Sequence, residues 1–197
     1  MRPAVIETPR LQLRRMTQDD VPALLMVFGD PEVMRYYPSP FDASRMQGWV
    51  DWNQRSYTEC GYGLWALVLR ATGELIGDCG LVNQQVDDLP EIEVGYHVRR
   101  DFWGQGLATE AALACLHYGF TALDRRRFVS LIHPQNLASR RVAEKVGMTL
   151  RRKVEWKSRP TYIYAVERTA TSEDKHRISS YPPDPRNCSP SGRARGR

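Results

Sequence analysis

EIEVGYHVRRDFWGQGLATEA, residues 91–111, decides the fold. Its first eight residues alternate. Ile92, Val94, Tyr96 and Val98 fall on one side, and Glu91, Glu93, Gly95 and His97 on the other, the period of a half-buried β-strand. Gly95 inside that strand marks a bulge or a close backbone approach. After Gly104-Gln105-Gly106, Leu107, Ala111, Ala114, Cys115 and Tyr118 recur at helical spacing, which predicts a helix from Gly106 to Phe120. Two glycines let the chain turn tightly and approach a ligand. The helix start beyond them offers unpaired N–H groups and partial positive charge, an arrangement suited to a diphosphate, with Arg99 and Arg100 beside it. There is no G-x-x-x-x-G-K-[ST] run, and GQGLAT lacks the third glycine of the dinucleotide fingerprint. Taken alone, the segment is equally consistent with an ordinary strand-to-helix turn.

The neighbouring segments extend the pattern in both directions. Arg127–Ile132 reads as a strand. HPQNLASRR, residues 133–141, leads into a helix that starts at Asn136 and stops at Gly147. Residues 149–156 and 161–168 read as two closing strands. Upstream, residues 8–15 read as a first strand, followed by Thr17 as a cap and a helix across Val21–Phe28. A short helix at Asp30–Met34 and a longer one from Asp42 to Tyr57 come next. Leu64–Leu69 and Leu75–Val82 form a hairpin across Ala71–Glu74, and Asn83–Pro90 reads as a polar loop. This order predicts an α/β domain over residues 1–168, with helices on both faces of a mixed, twisted sheet of six to seven strands. Residues 169–197, rich in Ser, Pro and Arg, read as a disordered basic tail.

Composition narrows the functional classes. The chain has 197 residues and a net charge of +5, enough for one compact domain and compatible with a polyanionic ligand. No apolar run is long enough to span a membrane, and the N-terminus has no apolar leader, so the expected compartment is the cytoplasm. Cys60, Cys79, Cys115 and Cys188 are scattered without C-x-x-C spacing, which argues against a zinc site or a disulfide framework. No metal is expected, and binding to nucleic acid is not favoured.

EIEVGYHVRRDFWGQGLATEA, followed at Asn136 by N-x-x-S-x-x-V-x-E-K-V-G-M, resembles the GNAT superfamily of N-acetyltransferases. Within it the sequence is most similar to the branch holding the Rim-type ribosomal-protein N-terminal acetyltransferases, whose first strand resembles E-T-P-R-L-x-L-R of residues 7–14. The resemblance implies a sheet splayed between its fourth and fifth strands, with acetyl-CoA lying in the opening as cosubstrate. The backbone of Tyr96, His97 and Val98 would pair with the pantetheine arm. The amides of Gly104, Gln105, Gly106, Leu107, Ala108 and Thr109 would cradle the diphosphate. Asn136 would bond the pantetheine, and Ser139 would lie near the sulfur. Two positions depart from the family pattern. Asp101 stands where many members carry Gln or Arg, which leaves Arg99 or Arg100 to supply that charge. Ala143 stands where some members carry a proton-donating Tyr, which leaves Ser139 as the substitute.

The implied reaction is direct transfer of an acetyl group to a primary amine. A free amine is mostly protonated at neutral pH, so a base is needed. Glu93, on the cofactor strand, is the first candidate. Glu155 is the second, because a Glu at a similar place serves some Rim-type enzymes. His97 reads as a structural donor more than as a base. Tyr36, Tyr37, Trp49 and Trp52 either line the acceptor groove or fill a helix core. The acceptor is a protein or peptide N-terminal amine on this reading. A small-molecule amine (antibiotic, polyamine or amino acid) and a non-catalytic acyl-CoA-binding adaptor are the alternatives. The sequence does not choose between a monomer and a homodimer.

Overall fold

The computed structural model describes residues 3–168. The expected tail, residues 169–197, lies outside the described residues. The elements in chain order are β1 (Ala4–Glu7), β2 (Leu11–Arg14), α1 (Val21–Phe28), α2 (Ala43–Glu59), β3 (Leu64–Leu69), β4 (Leu75–Val86), β5 (Leu89–Val98), α3 (Leu107–Thr121), β6 (Arg127–Ile132), α4 (Leu137–Lys145), β7 (Thr149–Trp156) and β8 (Arg159–Glu167). They build one mixed sheet in the order β1-β2-β3-β4-β5-β6-β8-β7. Among the described residues the sheet has eight strands, more than the six to seven expected. The predicted first strand, residues 8–15, corresponds to β2 alone, and across the bend at Thr8-Pro9-Arg10 an unpredicted strand, β1, pairs antiparallel with it.

Two further expectations change. Residues 83–90 are not a loop. β4 and β5 continue antiparallel through Asn83↔Ile92, Gln84↔Glu91 and Val86↔Leu89, turning at Asp87 and Asp88, both at positive φ. The polar side chains there are those of strands with one wet face, and Val86 is fully buried. Asp30–Met34 forms hydrogen-bonded turns rather than a helix, with the Met34 amide donating to the Asp30 carbonyl at 3.0 Å.

The apolar residues explain how the helices sit. Leu64–Leu69 is apolar throughout because both its faces are covered. Trp65, Leu67, Val94 and Val98 share a core with Leu107, Ala111, Cys115 and Leu116 of α3 and with Ala143 of α4. Leu64, Ala66 and Val68 pack instead with Leu24, Val27 and Phe28 of α1 and with Met46 and Val50 of α2. Helices therefore lie on both faces. Trp49 and Trp52 belong to the α1–α2 core, their rings stacked 5.2 Å apart.

The seam that matters for function runs between β5 and β6, the fourth and fifth strands of the sequence reading. They run parallel and share one ladder position, Glu93↔Val129. Beyond it the strands part.

Candidate active site

The opening is built from backbone that has lost its neighbour. The Arg99 amide donates to the Ile76 carbonyl at 2.7 Å, and Asp78 pairs with His97, so the odd-numbered residues of β5 turn their backbone toward β4. The even-numbered residues turn it toward the seam. There the Ser130 hydroxyl donates to the Val94 carbonyl at 2.9 Å, and the Trp103 indole donates to the Val98 carbonyl at 2.7 Å. Tyr96 stands between these two positions, so its N–H and C=O face the gap. The backbone of His97 faces β4 instead, and only its side chain is left to act at the site.

The glycine turn lies at one end of the gap. Gly104 and Gly106 sit at φ 76° and 75°, a left-handed region that disfavours side chains. Gly106 is the residue before α3, and the Glu110 amide is the donor that reaches back to the Gly106 carbonyl, at 3.0 Å. The amides of Leu107, Ala108 and Thr109 therefore have no acceptor within the helix. Their geometry fits a diphosphate.

Of the two arginines expected to supply the nearby charge, one is engaged and one is open, and a third lies beside the glycine turn. Arg99 is committed, with its guanidinium donating to Glu74 at 2.6 Å and to Asp101 at 2.8 Å. Those bonds hold the Arg99 charge more firmly and pull the Asp101 carboxyl below its usual range. Arg100 remains exposed. Arg10, ninety-five residues upstream, donates to the Gln105 carbonyl at 2.9 Å and to Glu110 at 2.6 Å. The sequence reading missed Arg10, because spacing along the chain gives no sign of a contact between β2 and the α3 loop.

On the far side of the seam Asn136 caps α4, its side-chain oxygen accepting from the Ser139 amide at 3.1 Å. The Tyr96 hydroxyl crosses from β5 to donate to the Ser139 carbonyl at 2.9 Å. Ala143, in place of the family tyrosine, is buried in the core.

Glu93 and His97 share the other face of β5. Glu93 accepts from the Gln84 side chain at 2.7 Å and from the Leu131 amide at 3.3 Å. Burial raises its carboxyl above the usual range, against the lowering pull of the Gln84 and Leu131 bonds, Lys157 and His97. His97 lies between a fully buried Asp78, whose carboxylate is 2.8 Å from Nδ1, and the Tyr37 hydroxyl, 2.8 Å from Nε2. Trp49 donates its indole N–H to the same Asp78. Burial, then the charges of Glu93 and Asp78, raise the Tyr37 hydroxyl, while Arg159 lowers it. Glu93, Tyr37, His97 and Arg159 are thus brought together. Glu155 is not with them. It is exposed on β7, in the register position opposite Pro160.

Beside Tyr37 opens a cavity of about 270 Å³ lined by Arg35, Tyr36, Tyr37, His133, Gln135 and Arg159. Tyr36 stacks on His133 at 5.0 Å and donates its hydroxyl to the Gln135 carbonyl at 2.9 Å. Tyr36 and Tyr37 therefore line a groove, whereas Trp49 and Trp52 do not.

The sheet thus opens between two parallel strands, with the unpaired amides of α3 at one end and the half-buried Glu93 carboxylate inside. Residues 10–149 match the model of the acetyltransferase (GNAT) domain, and the chain belongs to this family of N-acetyltransferases. It is 41% identical over 158 residues to the uncharacterised protein YkkB of Bacillus subtilis, covering 80% of this chain and 92% of that one. An acetyltransferase from Agrobacterium tumefaciens superposes with a TM-score of 0.74 at 28% identity, covering 85% of this chain and 96% of that one. The ribosomal L7/L12 α-N-protein acetyltransferase RimL, in complex with coenzyme A, shares the fold with a TM-score of 0.68 at 19% identity, over 84% of this chain and 98% of that one.

Proposed function

We propose that residues 1–168 form a cytoplasmic transferase that moves an acetyl group from acetyl-CoA directly to a primary amine, with an N-terminal amine of a protein or peptide as acceptor. The carrying observation is Glu93, a half-buried carboxylate held above its usual range on the open strand and bonded to the Leu131 amide, two residues before His133 of the cavity wall. The fold likeness to RimL, named for α-N-protein acetylation, supports the choice of acceptor.

Acetyl-CoA supplies an acetyl group activated as a thioester. Gly104–Thr109 hold its diphosphate through backbone amides. The Tyr96 backbone and the Asn136 amide hold the arm in the seam. Glu93 takes a proton from the incoming ammonium, and its raised pKa brings it closer to working pH. The amine nitrogen then bonds to the acetyl carbon as the C–S bond breaks. Backbone N–H groups along the seam face the carbonyl oxygen, where a well-placed donor is worth roughly 3–4 kcal/mol. The Ser139 hydroxyl, at the start of α4, gives its proton to the departing sulfur and takes in turn the second proton that the nitrogen sheds as it becomes an amide. No helix among the described residues is long and apolar enough to cross a membrane.

The size of the cavity favours a second reading in which the acceptor is a small amine. The deciding experiment follows thiol release from acetyl-CoA over N-terminal peptides and small amines, with wild type beside E93Q. Turnover by wild type that fails in E93Q supports the assignment. Equal turnover removes Glu93 as the base. Absence of acetyl-CoA binding by folded wild type removes the transferase reading.

A further inference from the structure

The cavity beside Tyr37 is lined by two arginines and a histidine, and by no carboxylate. Arg159 is half-buried there, yet only one of its N–H groups is used, donating to the Tyr36 carbonyl at 3.2 Å. The rest of that guanidinium has no partner among the described residues. Among the described residues Arg35 lies 3.8 Å from Glu32, with both side chains largely exposed, and its guanidinium sits over the Tyr36 ring at 5.9 Å. A half-buried guanidinium with unused N–H groups is open to a ligand, and the group that suits it best is a carboxylate, which can accept two parallel hydrogen bonds.

Glu93 stands nearby with the opposite charge. Glu93 accepts from the Leu131 amide at 3.3 Å, two residues before His133 of the cavity wall, and shares its strand face with His97, whose ring meets the Tyr37 hydroxyl of the same cavity at 2.8 Å. Glu93 is thereby tied to the wall of the cavity that Arg159 lines. Resting on the acetyltransferase reading above, we infer that the acceptor carries a carboxylate beside its amine. Arg159, supported by Arg35 and His133, receives the carboxylate while the ammonium turns to Glu93. A polycation such as a polyamine or aminoglycoside meets like charge at this mouth and is a poor acceptor. The carboxylate can be the α-carboxylate of a free amino acid or the acidic side chain of the second residue in an N-terminal peptide.

The test compares matched pairs. Alanine, phenylalanine and glutamate are offered as free acids and as their α-carboxamides. Tetrapeptides with an N-terminal alanine are offered with Glu or Gln at the second position. Spermidine serves as the polycation. In wild type the charged member of at least one pair series should have a KM at least about 10-fold below its neutral partner, and spermidine should be the poorest acceptor. A preference confined to the free acids identifies an α-carboxylate, and one confined to the peptides identifies an acidic side chain. R159Q should erase the preference by raising KM about 10–100-fold with little change in kcat, and R159K should fall between the two. Folding of each variant is checked by circular dichroism.

Equal use of charged and neutral partners, or better use of spermidine, overturns the inference. If no acceptor turns over, N-acetyl-alanine, N-acetyl-phenylalanine and N-acetyl-glutamate are titrated as acids and as α-carboxamides into coenzyme A-saturated protein. Tighter binding of the acids, lost in R159Q, supports the inference, and equal or absent binding overturns it. Acetyl-CoA binding measured alongside shows whether the transferase reading stands when this inference falls.

Discussion

The two ends of the seam are built by different means. The cradle at α3 comes from one continuous stretch, Val98–Thr109, and works through backbone amides and two glycines at positive φ. The acceptor cavity draws on residues 35–37, 133–135 and 159, and works through side chains. Recognition by backbone is local and shows as a pattern of residue types. Recognition by side chains depends on which loops the fold brings together, and no spacing announces it. On the proposed function, the common half of the substrate pair meets a readable motif, and the variable half a tertiary assembly.

If the two ends are separable, variants should divide cleanly. E93Q should lower kcat about 10²–10⁴-fold while leaving acetyl-CoA affinity within a factor of two by calorimetry. Its limb of the pH–rate profile, rising above the ordinary carboxylate range, should vanish with it. The double variant Gly104→Asp, Gly106→Asp should do the reverse, weakening acetyl-CoA binding by more than about 100-fold. Each left-handed position costs a side chain roughly 1–2 kcal/mol, and the new carboxylates repel the diphosphate. A loop variant that bound acetyl-CoA normally would break the comparison outright.

Smaller effects sharpen it. Tyr37→Phe removes the hydroxyl that meets His97 and should lower kcat/KM about 3–10-fold, with acetyl-CoA affinity unchanged. Arg10→Gln should weaken acetyl-CoA binding about 2–5-fold, because its pair with Glu110 is exposed and such pairs contribute about 1 kcal/mol or less. Glu93 also makes a stability prediction. Its folded-state pKa is raised, so the stability carried by its neutral form is complete below the unfolded value of about 4.3 and is lost as pH rises through the folded value. Thermal melts of E93Q and wild type should therefore coincide near pH 4, with E93Q the more stable at pH 8.

What the sequence disclosed follows the same division. Strand β5, the glycine turn and α3 were legible because hydrophobic period changes from two to 3.6 across Gly104-Gln105-Gly106. The start of α4 at Asn136 was legible from its capping chemistry. The β4–β5 hairpin was hidden because Asn83, Gln84 and Gln85 are polar, and a strand with a wet face looks like a loop until its partner is known. The bend at Pro9 hid an additional strand. Alternation placed Glu93 on the strand face opposite the apolar one and the family resemblance made it a candidate base, but its bonds to Gln84 and Leu131 could not be read. Asp78 carried no signal, since a buried acid within β4 makes sense only once His97 and Trp49 are seen beside it. Arg10 and Arg159 act across about a hundred residues of chain, beyond any periodic pattern.

The single ladder position between β5 and β6 also bears on how the protein opens. Across that seam the sheet is joined by side chains reaching backbone or one another, among them Ser130 to Val94, Glu93 to Leu131 and Arg127 to Glu91. β6, β8 and β7 can therefore form a cooperative unit of their own, less protected than β2–β5 in native-state hydrogen exchange. A ligand that supplies the missing ladder would couple the two units, and its binding energy would appear as slowed exchange at Tyr96 and along β6. If the substrate arm completes the sheet in this way, the two sides of the seam should exchange as one unit when it is bound.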